Sequence, residues 1–365
     1  MRERTRNRCR ERLESLAGAG LDPDQARLAA IEELRRAVGF QRWCWPLTDP
    51  GSGLATGGIA EFDVWPSLAR LVALQEHGDV ATKPELIVGP SASMALSAVT
   101  AGDIERSRVW RECLQPYGIG DTLMTACRER EGCWGSVELM RDSDDRAFDD
   151  DEIRLLDELA PTLGTLLRRS LALSWRRDAV EIGTPAPGTL ILNHELSPSG
   201  WTSPARDWLD QLQPGPGMLP PAVYEIGARV LAREQADVRW PLPARVRMRV
   251  PSGRWAVIEG ARLEGSDEAC VVITIRAATA DEIVDVLCRA YGLTPREREL
   301  VTLLRGGLAT KGVSDTLGIS HYTVQDHLKA IFEKTGVRSR RELLAHLVGA
   351  ALSADRPNTP TPSRG

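Results

Sequence analysis

The sequence predicts two successive α+β units followed by an all-α unit of four short helices. Three observations carry this prediction. Bulky apolar runs at strand spacing, joined by turns and flanked by helical stretches, occur in 40–142 and again in 188–275. A Pro/Gly-rich break, IGTPAPG at 182–188, lies between them. From Leu293 onward the periodicity is helical only, punctuated by capping residues and glycines. A chain of 365 residues has room for two or three domains, and 42% hydrophobic with 27% charged residues is an ordinary globular balance.

Taken in order, residues 1–20 read as an arginine-rich helix, exposed or frayed. The first unit spans 21–180. Its first helix runs from about Pro23 to Val38, with Asp22 as cap and Pro23 at the first helical position. FQRWCWPL at 40–47 is a strand, Pro50–Gly58 a Gly-rich turn, and 65–76 and 103–115 are helical. DTLMTACRER and CWGSVELMRD form an antiparallel hairpin. Phe148–Arg169 is a helix with acidic residues at its start and Arg168 and Arg169 at its end, as the helix dipole favours. Ile153, Leu156, Ala160, Leu163 and Leu167 line one stripe of it, and Leu155, Leu159 and Leu166 a second. Both faces must be buried, one against the unit's own sheet and the other against a second surface. Pro161 interrupts any long regular coil.

The second unit, 186–278, holds TLILN, SGWTS, helices near 204–213 and 221–234, and a meander of ARVRMRV, RWAVIEGARL and ACVVITI. A helix over 281–290 leads into the last unit, 281–350. The polar, proline-rich tail at 351–365 is expected to be disordered.

Composition excludes several classes. No window approaches the ~18 apolar residues of a membrane helix, and the charged MRERTRNRCRER start does not read as a secretory signal. The expected location is the cytoplasm. Seven cysteines form no CxxC pair and five histidines show no ligand spacing, so neither a metal nor another cofactor is expected. Cys44, Cys113, Cys127 and Cys133 are read as buried thiols rather than oxidant sensors. Trp43, Trp45, Trp65, Trp110 and Trp134 are read as core, with an aromatic wall around a flat ligand as the alternative. No GxxxxGK[ST] loop occurs, and 40–60 lacks the acidic arrangement of a phosphate-accepting receiver. Residues 1–280 contain only two histidines, His77 and His194, and neither sits in a nucleophile motif. A non-enzyme is expected; the alternative is an enzyme or scaffold protein with an appended nucleic-acid-binding module. The net charge of −5 is uneven: residues 310–350 carry six basic and four acidic side chains and three of the chain's four lysines. Such an end suits contact with a polyanion.

The informative stretch is 293–347. Thr294, Pro295 and Glu297 open a helix with a capping hydroxyl, an N-terminal proline and a reciprocal glutamate. A second helix starts near Thr310. Gly318 makes a tight turn, and Ser320 caps a third helix from His321 to about Thr335. Val324, Leu328 and Ile331 share its inner stripe, while Tyr322, Gln325, Asp326, Lys329 and Glu333 face outward. Ser339 and Glu342 cap a fourth helix carrying Leu343 and Leu347. Two short helices joined at a glycine turn, the second presenting polar residues, form a helix-turn-helix layout.

LTPREREL, LGIS and HYTVQDHLKAIFEKTGVRSRREL resemble the DNA-binding domain of LuxR-type transcriptional regulators over about 55 residues. The resemblance implies double-stranded DNA as partner. It implies phosphate contacts from Lys311, Thr323, Arg338 and Ser339, and a major-groove face of Gln325, Asp326 and Lys329. Ser320, Tyr322 and Arg340 complete the expected DNA-binding set. Gly312 departs from the family, which favours a stronger helix former there; Gln325 and Asp326 stand where basic or neutral residues are common. The first unit is similar to a GAF sensor domain and 186–278 to a PAS domain, which implies a small-molecule effector or a partner sensed at the sheet. The acyl-homoserine-lactone pocket signature of other LuxR-type proteins is not recognisable. A homodimer is expected, joined through the outer face of the helix 150–169 and through Leu343, Leu347 and Ala350, with RNA polymerase as a further candidate partner. Few contacts are expected to cross at 183–188 or before Leu293, so that a fragment from Asp281 to Ala354 would fold alone.

Overall fold

The arginine-rich start of the chain has an apolar side at i, i+4 spacing, and that side decides its place. The computed structural model describes residues 3–61, 67–76, 78–175, 186–212, 218–235, 242–265 and 269–352. Within them α1 (Glu3–Gly18) lays Cys9, Leu13 and Ala17 into a core shared with α2 (Pro23–Ala37). Arg6 and Arg10 pair with Glu158 at 3.0 and 2.6 Å. The first helix is therefore docked, not exposed or frayed; its many charges obscured a stripe of small apolar residues. Asp22 caps α2 by accepting from the Asp24 and Gln25 amides.

The first sheet is antiparallel throughout. It comprises β1 (Arg42–Thr48), β2 (Ala55–Ala60), β3 (Ser93–Ala95), β4 (Ile119–Glu129) and β5 (Gly132–Asp142), in the order β2-β1-β5-β4-β3. Between β2 and β4 lie α3 (Leu68–Glu76), α4 (Lys83–Val88) and α5 (Leu96–Val99). The run read as a Gly-rich turn thus ends in a strand. The stretch 103–115 holds a 3₁₀ turn and a π turn rather than a regular helix.

Helix α6 (Asp150–Ser174) starts with a reciprocal Asp149–Glu152 cap and lies across β4, β5 and β3. At Gly164 a Cβ would sit 3.0 Å from the Cys127 carbonyl oxygen, so a larger residue would push helix and strand apart by a few tenths of an ångström. Both apolar faces of α6 are buried, the second against α1 and α2 of the same chain. The outer face expected to meet another copy is therefore already covered. Trp43, Trp45 and Trp134 belong to this core, and Trp110, on a separate cluster, donates to the Ile119 carbonyl at 2.8 Å. Burial pushes the Cys113 thiol up to about 11, reinforced by Glu112, and raises Cys44 and Cys127 well above the usual range, so these thiols are not poised for oxidation.

The second unit repeats the scheme. Its strands β6 (Gly188–Asn193), β7 (Pro198–Trp201), β8 (Arg245–Arg249), β9 (Trp255–Arg262) and β10 (Ala269–Ala277) are antiparallel in the order β7-β6-β10-β9-β8, with the expected β8–β9–β10 meander. Helices α7 (Ser203–Leu212) and α8 (Pro221–Gln235) complete it. The two units share an interior: Leu54 and Val72 of the first lie in the core of the second, beside Val223 and Ile226. Two buried ion pairs cross there, Lys83–Glu225 at 2.8 Å and a bidentate Arg229–Glu76 at 2.8 Å. Most of the 182–188 break, the 353–365 part of the tail, His77 and Trp65 lie outside the described residues.

Helix α9 (Ala280–Ala290) buries Ile283, Val286 and Leu287 in one cluster with Trp255 and Val257 of the second unit. Asp285 bonds Arg247 of β8 at 2.6 Å, and Glu282 bonds Arg276 of β10 at 2.8 Å. The expectation of few contacts before Leu293 is thus corrected: α9 is amphipathic, and its apolar side closes onto the second sheet. Burial alone would raise the Glu282 carboxyl; hydrogen bonds from Arg276 and the Thr279 amide, with the charges of Arg245 and Arg276, overcome it and hold it at about 2. The stabilisation is complete above the ordinary carboxyl value of 4.5 and fades as pH falls toward 2. Amide protection factors in 280–290 should fall over that window, and Glu282→Gln should flatten the pH dependence. Among the described residues no helix is long and apolar enough to cross a membrane.

Candidate nucleic-acid interface

Four helices close the chain: α10 (Pro295–Arg305), α11 (Thr310–Leu317), α12 (His321–Thr335) and α13 (Arg340–Leu352). Thr294 and Glu297 form the reciprocal cap of α10, the Thr294 amide donating to Glu297 at 2.7 Å. The same carboxylate accepts from Lys334 of α12 at 2.6 and 2.9 Å, which ties the first helix of this unit to the third. Burial would raise the Glu297 carboxyl, but Lys334 and the capped amide bring it below its ordinary value. Lys334 is thus a structural cation.

Gly318 ends α11 at φ 63°, a left-handed conformation that suits glycine. Ser320 then caps α12, accepting from the Thr323 amide at 3.1 Å, while the two hydroxyls lie 2.9 Å apart. Both hydroxyls sit at the helix N-terminus, where amides and dipole favour an anion. Val324, Leu328, Ile331 and Thr335 of α12 are buried. Tyr322, 83% exposed, and the exposed Gln325, Asp326 and Lys329 make no hydrogen bond or ion pair among the described residues. One side of α12 is therefore core and the other is open, which is what insertion into a groove requires.

The remaining expected contacts differ in freedom. Lys311 and Arg338 are exposed, and the Arg338 amide donates to Glu342 at 2.8 Å. Ser339 is the cap of α13, accepting from the Glu342 amide at 3.1 Å. Arg340 is half-buried and donates to the Leu304 carbonyl at 3.1 Å, so it also joins α13 to α10. Leu343 and Leu347, expected at a dimer contact, are fully buried beneath α9 within this chain. Ala350 lies outside the residues whose side chains are described. Sequence reasoning missed how the unit is held. Arg298 of α10 pairs with the buried Glu131 at 2.7 Å, Arg289 donates to the Glu131 carbonyl at 3.2 Å, and Arg168 of α6 donates to the Ala290 carbonyl at 2.8 Å. These partners lie 122 to 167 residues apart, beyond any local pattern.

This geometry agrees with a comparison of the sequence with protein families: residues 292–347 match the model described as "Bacterial regulatory proteins, luxR family". Residues 292–347 form a LuxR-type helix-turn-helix domain. Two curated relatives share it. The "Monoamine regulon transcriptional regulator" of Klebsiella aerogenes is 45% identical over 53 residues, 14% of this chain and 23% of that protein. The "Probable HTH-type transcriptional regulator GfsR" of Streptomyces halstedii is 37% identical over 60 residues, 16% of this chain and 25% of that protein. The chain thus spans about a quarter of the length of these relatives. A solved structure, "Crystal structure of the phage VqmA-DPO complex", is 17% identical with a TM-score of 0.18, over 47% of this chain and 87% of that one.

Within the LuxR-type domain, Gly312 occupies the interior of α11. A Cβ there would meet only the Leu308 side chain, at 3.6–3.7 Å, an ordinary contact. Gly312→Ala should therefore stabilise the domain by up to ~1 kcal/mol, through helix propensity alone. A higher thermal midpoint with unchanged circular dichroism is the expected reading.

Proposed function

We propose that the protein is a sequence-specific DNA-binding transcriptional regulator whose N-terminal region responds to a small molecule or a protein partner. The observation that carries this reading is the open face of α12: Tyr322, Gln325, Asp326 and Lys329 stand exposed on a capped helix whose other side is core. The face stays open while the LuxR-type domain is docked on the body through Arg298 and Glu131, so docking does not cover it. The names of both relatives support the regulatory role.

A GAF-like unit followed by a PAS-like one is the reading we adopt for the N-terminal region. Its support is the common strand order: each sheet runs second, first, fifth, fourth, third in its own numbering. The protein acts as a homodimer, because helix-turn-helix proteins of this kind read paired half-sites about 10 bp apart. Its dimer surface lies elsewhere than the outer face of α6 or Leu343 and Leu347, which this chain covers itself. RNA polymerase is a further candidate partner.

Selection of binding sites from random duplex DNA by the full-length protein tests this. The expected result is enrichment of one motif in two copies spaced by about one helical turn. Recovery of unenriched sequences would overturn the specific-binding reading, and monomers in sedimentation with and without the selected duplex would overturn the dimer.

A further inference from the structure

Where β1, the end of α6, the β8–β9 hairpin and α9 meet, they surround a cavity of about 400 Å³. That lies in the ~300–1,000 Å³ range of small-molecule sites. By contrast, the gap beside Met94, Met124 and Glu138 of the first unit is about 20 Å³, room for one water. The lining of the junction cavity mixes aromatic, apolar and cationic groups. Trp175 and Trp255 meet edge to face, ring centroids 4.9 Å apart, with Leu171, Met248 and Val286 around them. Arg247 and Arg249 of β8 also line it, Arg249 directly opposite Trp255 in the strand register, and among the described lining residues there is no aspartate or glutamate.

Both guanidinium groups are held in place by hydrogen bonds. Asp49 accepts from Arg247 at 2.8 and 2.9 Å, and Asp285 at 2.6 Å. Burial opposes the Arg247 charge, but these two carboxylates overcome it and keep the group protonated. Arg249 donates to the Gly253 carbonyl at 2.7 Å and the Ser174 carbonyl at 2.9 Å. Ser252, in the same wall, has a buried hydroxyl oxygen without a hydrogen-bond partner among the described residues.

We propose that this junction cavity binds a planar aromatic carboxylate and that α9 reads its occupancy. The inference rests on the ligand-responsive reading of the N-terminal region given above. A flat ring suits the tryptophan pair, and a carboxylate suits the neighbouring guanidinium and hydroxyl donors. Val286 of α9 faces the cavity, and its neighbour Asp285 shares Arg247 with Asp49. A ligand carboxylate that draws Arg247 competes with Asp285, so it binds better when α9 is loosened from β8, which is the differential affinity a switch needs. Tyr291, just beyond α9, is bonded to His346 of α13 at 2.6 Å, so displacement of α9 reaches the LuxR-type domain.

The test titrates the full-length protein with 2-naphthoate by calorimetry, with 2-naphthylmethanol as the uncharged comparator. Duplex DNA binding by the same preparation is followed by fluorescence anisotropy. Saturable naphthoate binding is expected, about tenfold weaker for the alcohol and for Arg249→Gln, as loss of a charge-assisted hydrogen bond implies. Ser252→Trp on the β8–β9 turn and Thr56→Trp on β2 fill the cavity from two different elements and should each abolish binding, with circular dichroism and melting confirming their folds. Amide exchange in 280–290 should accelerate at saturation. Absence of binding at millimolar naphthoate, or binding unchanged in both filled variants, would overturn the site. Binding that leaves the exchange of 280–290 unchanged would overturn the coupling. Either failure with DNA binding intact leaves the regulator reading standing, whereas loss of DNA binding by the unliganded protein overturns that reading instead.

Discussion

Arg229→Met is expected to destabilise the protein by about 3–5 kcal/mol, the cost of leaving one member of a buried ion pair without its partner. Arg229 of α8 holds Glu76 at the end of α3 through two bonds of 2.8 Å, with side chains 5% and 3% exposed. It also donates to the Ser52 carbonyl at 2.6 Å. The substitution removes these donors and leaves an ionised carboxylate in an interior it shares with Leu54, Val72 and Ile226. Glu76 then takes up a proton, draws in water, or pushes α3 from α8. Urea unfolding should show a lower midpoint. Because the pair joins the two α+β units, an early transition confined to one unit is the further expectation. The double variant Glu76→Gln, Arg229→Met should recover much of the loss, since removing both charges of a buried pair is commonly near neutral. A single variant as stable as the parent would show that the two units do not depend on each other.

How much of this was legible in the sequence depended on whether the cause was local. The four C-terminal helices are set by Thr294, Pro295, Gly318, Ser320 and Gly336, each of which ends or begins an element through its own backbone chemistry. Those elements appear where the spacing predicts them. The hairpin of β4 and β5 and the meander β8–β9–β10 were equally readable, because apolar alternation is local too. Strand β2 was not: ATGGIA carries two glycines and little bulk, and it pairs because β1 provides the edge. Two apolar faces on α6 correctly signalled a second surface, but the periodicity could not say whose. α1 of the same chain supplies it, through Cys9, Leu13 and Ala17 hidden among arginines. The docking of the LuxR-type domain was illegible for the same reason. Glu131 reads as one more hairpin-turn acid until Arg298 arrives from 167 residues away.

Alanine substitutions at Lys329 and Gln325 should separate two kinds of DNA contact on α12. Both residues are exposed and lie one turn apart beside Asp326, over the buried stripe of Val324, Leu328 and Ile331. Neither has a partner among the described residues, so truncation removes no bond that supports the fold. Glutamine can bond adenine through both atoms of its amide, and Asp326 can accept from the amino group of cytosine. Loss of such a base contact costs roughly 1–3 kcal/mol on the cognate site and relaxes preference at one position. Gln325→Ala should therefore weaken cognate binding while leaving random duplex binding nearly unchanged. Lysine can donate to guanine or neutralise a phosphate. In the phosphate case Lys329→Ala weakens every sequence alike and lowers the salt slope by about one. In the guanine case the loss falls chiefly on the cognate site. Anisotropy titrations of cognate and random duplexes at two salt concentrations distinguish these outcomes. If both variants bind the cognate duplex like the parent at both salts, α12 does not enter the groove. The open face would then have to meet another partner, since nothing within the described chain covers it.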